Sequence, residues 1–322
     1  MLGVLTVNTG TPEAPHAREV RRFLGRFLSD RRVVELPQVL WRPLLYGLIL
    51  PLRAPRSAQR YRRVWMDDGS PLAVFSRRLQ HALELELEAQ LPGAVMLESA
   101  VLYSKPHVEA ALRRLWDAGS RRIVVLPLFP QASGATTGAV FDQLGASLRR
   151  WRSLPDLQLI GDYHDDSGYV GALANSVREH WQQHGRTSQL LMSFHGIPQR
   201  YVQHGDSYEQ QCLQTAALLA AALDLKSGEW AHSFQSRFGR SRWLAPATDA
   251  LLAQLPGRGV KSLTVICPGF SVDCLETLEE IALEGRATYL RAGGTQFQYV
   301  PALNDRGDHA RALARRVLGS SP

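Results

Sequence analysis

Cysteine and lysine are both scarce in this chain of 322 residues. The only cysteines are Cys212, Cys267 and Cys274, and no two of them form a Cys-x-x-Cys pair. This spacing excludes a disulfide framework and argues against a zinc or iron–sulfur centre held by cysteines. Arginine supplies almost all of the 37 basic residues, and the formal net charge is +7.

Long apolar runs and the common nucleotide motifs are also missing. No uncharged apolar run reaches the roughly 18 residues that a membrane-spanning helix needs. A strand-like run occupies residues 2–7 with no basic segment before it, so we expect no signal peptide and a cytoplasmic protein. There is no P-loop and no Gly-x-Gly-x-x-Gly sequence. Helix-turn-helix, RNP and zinc-finger patterns are absent too, so we expect no nucleic-acid partner despite the positive charge.

Short apolar runs alternate with segments of helical spacing along the whole chain. Many of the runs are rich in Val, Ile and Leu without strict alternation, as is typical of strands buried on both faces of a parallel sheet. The predicted strands are 2–7, 95–101, 122–128, 157–161, 189–194, 229–234, 262–267 and 296–300. This rhythm predicts an α/β protein of two Rossmann-like domains, each a four-stranded parallel sheet flanked by helices. We place the domains at 1–155 and 156–322.

One stretch, residues 36–52, interrupts this rhythm, and we call it the apolar lip. It is rich in leucine and aromatic residues, contains three prolines, and is followed by Arg53 and Arg56. One interpretation is a buried core helix. The other is an exposed lip at the mouth of a cleft, which grips a flat apolar ligand or touches a membrane surface.

Two polar stretches that follow predicted strands carry the candidate chemistry. Ser-Phe-His-Gly-Ile-Pro contains His195, and Pro-Gly-Phe-Ser-Val-Asp-Cys-Leu-Glu ends at Glu276. In parallel sheets, ligands bind beyond the carboxyl ends of the strands, so both side chains are expected at such an edge. An imidazole beside a carboxylate suits proton removal, metal handling or both.

Further acidic residues surround Glu276. Asp273, Glu276 and Glu280 are spaced i, i+3 and i+7, so an α-helix that begins near Asp273 would place them on one face. In the simpler interpretation Asp273 caps this helix and the other carboxylates complement its dipole. In the functional one, the row of carboxylates passes protons or cations along a polar channel.

A series of motifs in fixed order resembles the ferrochelatase family, in its proteobacterial form. The resemblance runs from Leu5 to about Asn304. Its motifs are Asn8-x-Gly-x-Pro12, Phe27-Leu-Ser-Asp30, Tyr61, Gly69-Ser-Pro71, Pro130-Gln131, Ser193-x-His-Gly-x-Pro198, Gln235-Ser-Arg237 and Phe270-x-x-Asp-x-Leu-Glu-Thr277.

The resemblance implies a function as well as a fold. It implies insertion of Fe²⁺ into protoporphyrin IX to give protohaem, with loss of two pyrrole protons, in a cleft between two Rossmann-like domains. It makes His195 and Glu276 the catalytic and metal-binding pair, with Asp273 and Glu280 on a proton or metal path. The positions matched to porphyrin binding are Thr9, Arg53, Arg56, Tyr61, Ser70, Tyr103 and Phe234.

Some positions depart from common family members, and other functions remain open. Leu102, Phe129 and Ala135 replace a frequent arginine, tyrosine and serine, and Cys274 stands where some members have histidine. The alternatives are a non-catalytic tetrapyrrole carrier and a chelatase for another metal or porphyrin. We expect Fe²⁺ as a substrate, no prosthetic group, a monomer or weak dimer, and peripheral contact of the apolar lip with the inner face of the membrane.

Overall fold

The computed structural model describes residues 1–239 and 241–319. They form two compact units, one of Met1–Asp162 together with the residues from Asp305 onward, the other of Tyr163–Asn304. The strands are β1 (Leu2–Asn8), β2 (Val95–Val101), β3 (Arg122–Pro127), β4 (Asp156–Leu159), β5 (Gln189–His195), β6 (Trp230–Gln235), β7 (Ser262–Ile266) and β8 (Gln296–Tyr299). The strands predicted from the sequence are confirmed to within two residues at each end.

Twelve α-helices connect these strands within the described residues. They are α1 (Ala17–Leu28), α2 (Gln38–Leu44), α3 (Leu50–Val64), α4 (Pro71–Gln90), α5 (Val108–Asp117), α6 (Ala139–Leu148), α7 (Ser167–His184), α8 (Gln199–Gln203), α9 (Tyr208–Ala222), α10 (Thr248–Gln254), α11 (Arg286–Arg291) and α12 (Gly307–Gly319). The described residues also form π-helical segments at Leu45–Ile49, Gly134–Gly138 and Glu276–Gly285, and a 3₁₀ turn at Leu255–Arg258. No described helix has the length and apolar character to cross a membrane.

The sheet of the first unit has the order β2-β1-β3-β4, with every neighbouring pair parallel. Its central strand β1 is buried along almost its whole length, and Val4 pairs with Leu97 on one side and Val124 on the other. Branched and apolar side chains fit such a position because both faces of the strand are covered by helices. The predicted architecture is confirmed for this unit.

The sheet of the second unit repeats the same arrangement, with the order β6-β5-β7-β8 and parallel pairing throughout. The central strands β5 and β7 carry fully buried residues such as Leu191 and Val265. The order places the carboxyl ends of β5, β6 and β7 side by side. His195 is the last residue of β5 and pairs with Gln235, the last residue of β6.

The predicted domain boundaries need correction at two places. The stretch Asp156–Leu159 is β4, which pairs with β3 and so belongs to the first unit, not the second. The last helix, α12, also belongs to the first unit, where it packs on α4. Its apolar face is buried there, and Arg311 forms an ion pair with Glu86 at 3.4 Å. Sequence order alone could not show that the chain returns to its first unit.

The apolar lip is built from α2, the π-helical segment and the start of α3. Trp41, Leu45 and Leu50 face inward and are buried. The opposite face is apolar as well, and Val39 and Leu40 are 85% and 73% exposed. The interpretation as a buried core helix is therefore wrong, because most of the large apolar residues of the segment are exposed.

Candidate active site

His195 stands in a tight turn at the end of β5. Its Nδ1 lies 2.7 Å from the carbonyl oxygen of Gly196. A carbonyl oxygen only accepts hydrogen bonds, so Nδ1 carries the proton and the Nε2 of the neutral ring has the free lone pair. The ring is half-buried. The turn thus presents a nitrogen that can accept a proton or bind a metal ion.

Gly196 makes this turn possible because the chain approaches β6 closely. Its N–H donates to the carbonyl oxygen of Gln235 at 2.8 Å. A Cβ at position 196 would lie 2.8 Å from that same oxygen and 3.2 Å from the Trp243 ring. Backbone atoms cannot move aside as a flexible side chain can, so glycine fixes the direction of His195.

Gln235 links three elements of the site through its side chain. Its Oε1 accepts a hydrogen bond from Ser193 Oγ at 2.7 Å, and its Nε2 donates to the carbonyl oxygen of Glu276 at 2.8 Å. The side chain is buried, so these bonds are protected from water. In the sequence Gln235 stands out only as part of the Gln-Ser-Arg motif, and its bridging role depends on the sheet topology.

Glu276 begins a π-helical segment, Glu276–Gly285, rather than the predicted α-helix. The π-helix has i→i+5 hydrogen bonds, is rare, and is frequently found at functional sites. The prediction that Asp273, Glu276 and Glu280 lie on one face of an α-helix is therefore wrong. Glu276 still lies close to Glu280, because the charge of Glu276 adds to the effect of burial in raising the pKa of Glu280.

Glu280 is held by both polar groups of Ser236. The Ser236 N–H donates to Oε1 and the Ser236 hydroxyl to Oε2, each at 2.7 Å. Burial is the largest influence on the Glu280 carboxyl and raises its pKa. The hydrogen bonds from Ser236 and the charge of His195 act in the opposite direction. His195, Glu276 and Glu280 therefore form one electrostatically connected group.

Asp273 is buried in the loop before this helix and anchors it. Its Oδ1 accepts hydrogen bonds from Tyr299 at 2.6 Å and Thr277 at 2.8 Å. Its Oδ2 accepts from Asn304 Nδ2 at 2.8 Å, and its N–H donates to Asn304 Oδ1 at the same distance. These bonds explain the conformation of the loop. Asp273 does not cap the helix as predicted, because the residue that directly precedes the helix is Leu275.

The neighbouring Cys274 is buried, and burial strongly raises the pKa of its thiol. The negative charge of the Glu276 carboxylate and a side-chain hydrogen bond with it raise that pKa further. Metals bind the thiolate form. A protonated thiol that donates to Glu276 fits a residue that orients this carboxylate.

The residues predicted to bind the porphyrin divide into two groups. Thr9 is half-buried just after β1, Arg53 and Arg56 lie on the lip helix α3, and Arg56 is exposed. Tyr61 is buried on the same helix and packs edge-on against Trp65 with ring centroids 6.0 Å apart. For Thr9 and the two arginines, contact with the porphyrin stays a prediction that their positions allow.

The other three predicted porphyrin residues have structural partners instead. The Ser70 hydroxyl caps α4 by accepting from the Ala73 N–H at 3.3 Å. The Tyr103 hydroxyl donates to Asp30 Oδ2 at 2.8 Å, and burial with this carboxylate raises its pKa far above the usual range. Phe234 is 1% exposed in β6. We therefore assign Phe234 to the core of its sheet rather than to a ligand surface.

Two parallel four-stranded sheets, with an imidazole and carboxylates beyond the carboxyl ends of the second, define a protein of the chelatase class. Comparison with solved structures agrees on the fold. SirB from Bacillus subtilis matches with a TM-score of 0.59 at 12% identity, over 99% of this chain and 95% of that one. CbiX, described as the terminal enzyme for biosynthesis of siroheme in denitrifying bacteria, matches with a TM-score of 0.53 at 14% identity, over 99% of each chain.

Sequence comparison identifies the family. The family model described as Ferrochelatase matches residues 1–320. A ferrochelatase of Thioalkalivibrio sulfidiphilus is 52% identical over 99% of this chain and 86% of its own length. A ferrochelatase of Aeromonas hydrophila is 50% identical over 98% of this chain and 97% of its own length. The chain belongs to the ferrochelatase family, the porphyrin metal chelatases of haem biosynthesis, which are lyases.

Proposed function

We propose that this enzyme inserts Fe²⁺ into protoporphyrin IX to give protohaem, and that His195, Glu276 and Glu280 carry out the proton and metal transfers. The observation that carries this assignment is the His195 ring, bonded through Nδ1 to a backbone carbonyl oxygen, in one electrostatic group with two carboxylates. Membership of the ferrochelatase family supports the reaction. The geometry supports the roles of the residues.

The reaction releases two protons, because the two pyrrole N–H groups must lose them as the metal enters. Nε2 of His195 accepts the first proton and the ring becomes an imidazolium ion. The negative charges of Glu276 and Glu280 stabilise this cation. Glu280, whose pKa is raised by burial, then accepts a proton more readily than an exposed carboxylate would.

The ligands offered to iron are nitrogen and oxygen atoms. Imidazole and carboxylate bind Fe²⁺ without the strong retention of thiolates, which suits an ion that must be delivered. Burial raises the pKa of the thiols of Cys267 and Cys274, so both are protonated. We therefore propose Fe²⁺ as a substrate, with no iron–sulfur cluster and no prosthetic group of the protein.

The apolar lip is proposed as a membrane-contact surface of a cytoplasmic enzyme that acts as a monomer or weak dimer. Apolar side chains such as Val39 and Leu40 are exposed beside the exposed arginines Arg42 and Arg56. An apolar face with neighbouring arginines matches the chemistry of an anionic membrane surface. The same surface would receive a porphyrin, which is itself flat and apolar.

The test of the proposed reaction is an anaerobic incubation of purified protein with protoporphyrin IX and Fe²⁺, followed through the porphyrin absorption bands. Catalytic turnover to protohaem supports the proposal. Tight porphyrin binding without turnover would instead identify a carrier. Turnover with Co²⁺ or Ni²⁺ and none with Fe²⁺ would identify a chelatase for another metal.

A further inference from the structure

Two histidines near the end of α7 stand apart from the active site. His180 and His184 are one helical turn apart, and their ring centroids are 4.5 Å from each other with an interplanar angle of 47°. Helix α7 ends just before β5 begins at Gln189. His195 is the last residue of the same strand, about 20 Å away at roughly 3.3 Å per residue. The histidine pair thus lies at the opposite edge of the sheet.

His180 has a nitrogen without a partner. Its Nε2 is buried, and no hydrogen bond reaches it from residues 1–239 or 241–319. Buried polar atoms in native proteins are nearly always satisfied, so such an atom calls for a partner that is not protein, namely water or an ion. Burial lowers the pKa of His180 and the charge of His184 lowers it further, whereas a side-chain hydrogen bond with Gln298 acts in the opposite direction.

The surrounding polar groups are already bonded to one another. Trp181 Nε1 donates to Thr264 Oγ1 at 2.9 Å, and Thr264 Oγ1 donates to Gln298 Oε1 at 3.2 Å. Gln298 Nε2 donates to the carbonyl oxygens of His184 and Gly185 at 3.0 and 3.1 Å. This network fixes the end of α7 and therefore the backbone that carries both rings.

We propose that His180 and His184 form a two-imidazole binding site for a borderline divalent transition cation such as Cu²⁺, Ni²⁺ or Zn²⁺. Two histidines at i and i+4 of a helix can present nitrogen atoms to one ion, at about 2.0–2.1 Å each for Zn²⁺. The rings already lie side by side, so small side-chain rotations complete the geometry. Water fills the remaining positions, because His184 is exposed.

Selectivity follows from the ligands. A site of nitrogen ligands generally binds Cu²⁺, Ni²⁺ and Zn²⁺ more tightly than Fe²⁺, which stands low in the affinity order, and it binds Cu²⁺ most tightly. The site therefore takes Cu²⁺ or Zn²⁺ under conditions in which Fe²⁺ leaves it empty. It is separate from the route by which the enzyme handles its substrate iron.

The test uses full-length, untagged protein that carries His195→Ala, so that the active-site imidazole does not contribute. Cu²⁺ is titrated by calorimetry, and the electron paramagnetic resonance spectrum is recorded at one equivalent. We expect one ion with two coupled imidazole nitrogens. His184→Gln, a change at an exposed position, should lower the affinity at least tenfold and leave a signal without the nitrogen pair. His180→Gln should do the same.

His81→Gln is the matched control, because the His81 side chain is 73% exposed on another helix, α4. It should leave affinity and spectrum unchanged. Equal Cu²⁺ affinity and stoichiometry in the parent and His184→Gln proteins would overturn the proposal and leave water as the partner of His180. The readout does not involve chelatase turnover, so it is independent of the proposed function.

Discussion

The backbone N–H and the hydroxyl of Ser236 each donate a hydrogen bond of 2.7 Å to a different carboxylate oxygen of Glu280. The φ of Ser236 is +67°, in the left-handed region that residues other than glycine seldom occupy. Such a conformation persists only where surrounding contacts impose it, and it is common at functional sites. The relationship holds a buried carboxylate beside His195 and counteracts part of the rise in its pKa that burial causes.

This relationship predicts a pH dependence of stability. Burial raises the pKa of Glu280 in the folded protein above its ordinary value of 4.5. Between the pKa of Glu280 in the unfolded chain and its higher pKa in the folded protein, the folded state binds more protons than the unfolded state. The contribution of Glu280 to stability is therefore full below pH 4.5 and declines as the pH rises through the folded pKa. Urea unfolding between pH 4.5 and 8 should show a shallower decline for Glu280→Gln.

Loss of the Ser236 hydroxyl should strengthen the same effect. Ser236→Ala removes one of the hydrogen bonds that lower the pKa of Glu280, so that pKa rises further. The acid limb of kcat/KM for iron insertion then moves to higher pH than in the parent protein. An unchanged profile in Ser236→Ala would show that Glu280 takes no part in proton transfer.

Gly196→Ala should damage both fold and activity. The added Cβ would lie 2.8 Å from the Gln235 carbonyl oxygen, so β5 and β6 must separate or the turn must move. Overpacking of this kind costs about 1–3 kcal/mol in the free energy of unfolding. Gly171→Ala is the control, because nothing lies within 4 Å of its Cβ in α7. Thermal unfolding should show a lower Tm for the first variant and an equal or higher Tm for the second.

Asp273→Asn should destabilise the loop before the π-helix. One of the two carboxylate oxygens becomes an NH₂ group, which cannot accept the bonds donated by Tyr299, Thr277 or Asn304. Leaving buried donors unsatisfied costs about 1–3 kcal/mol in the free energy of unfolding. Asp249→Asn, which changes an exposed ion pair with Arg237, should cost less than about 0.5 kcal/mol. Equal urea midpoints for the two variants would contradict the anchoring role of Asp273.

Membrane contact through the apolar lip predicts a specific loss of vesicle binding. Val39→Asp with Leu40→Asp places two charges on the exposed apolar face and should reduce co-sedimentation with anionic phospholipid vesicles at least tenfold. Leu154→Asp is the control, because Leu154 is also an exposed apolar residue, at 62% exposure, but lies outside the lip. If both proteins sediment alike, the lip does not mediate membrane contact.

Sequence patterns were sufficient to predict the strands because each is a short run of apolar residues between helical segments. They also located His195, because a glycine after a histidine at the end of a buried strand marks a close approach. The apolar lip was recognised, but its exposure was not decided, since an apolar helix segment looks the same in a core and at a surface.

The parts that sequence could not predict depend on contacts between distant positions. A π-helix differs from an α-helix in its hydrogen bonds and leaves no separate pattern in the residues from Glu276 to Gly285. The burial of Asp273 follows from Tyr299 and Asn304, which lie more than 25 residues away along the chain. The return of α12 to the first unit likewise depends on its packing against α4.

The most direct measurement compares iron insertion by His195→Ala and His204→Ala under anaerobic conditions. His204 follows α8 and is exposed, so its loss changes the histidine content without touching the site. The account predicts that His195→Ala keeps the urea midpoint and porphyrin binding but loses at least a hundredfold in kcat, an effect in the range of general-base catalysis. His204→Ala should retain full activity. Near-normal turnover by His195→Ala would contradict the account.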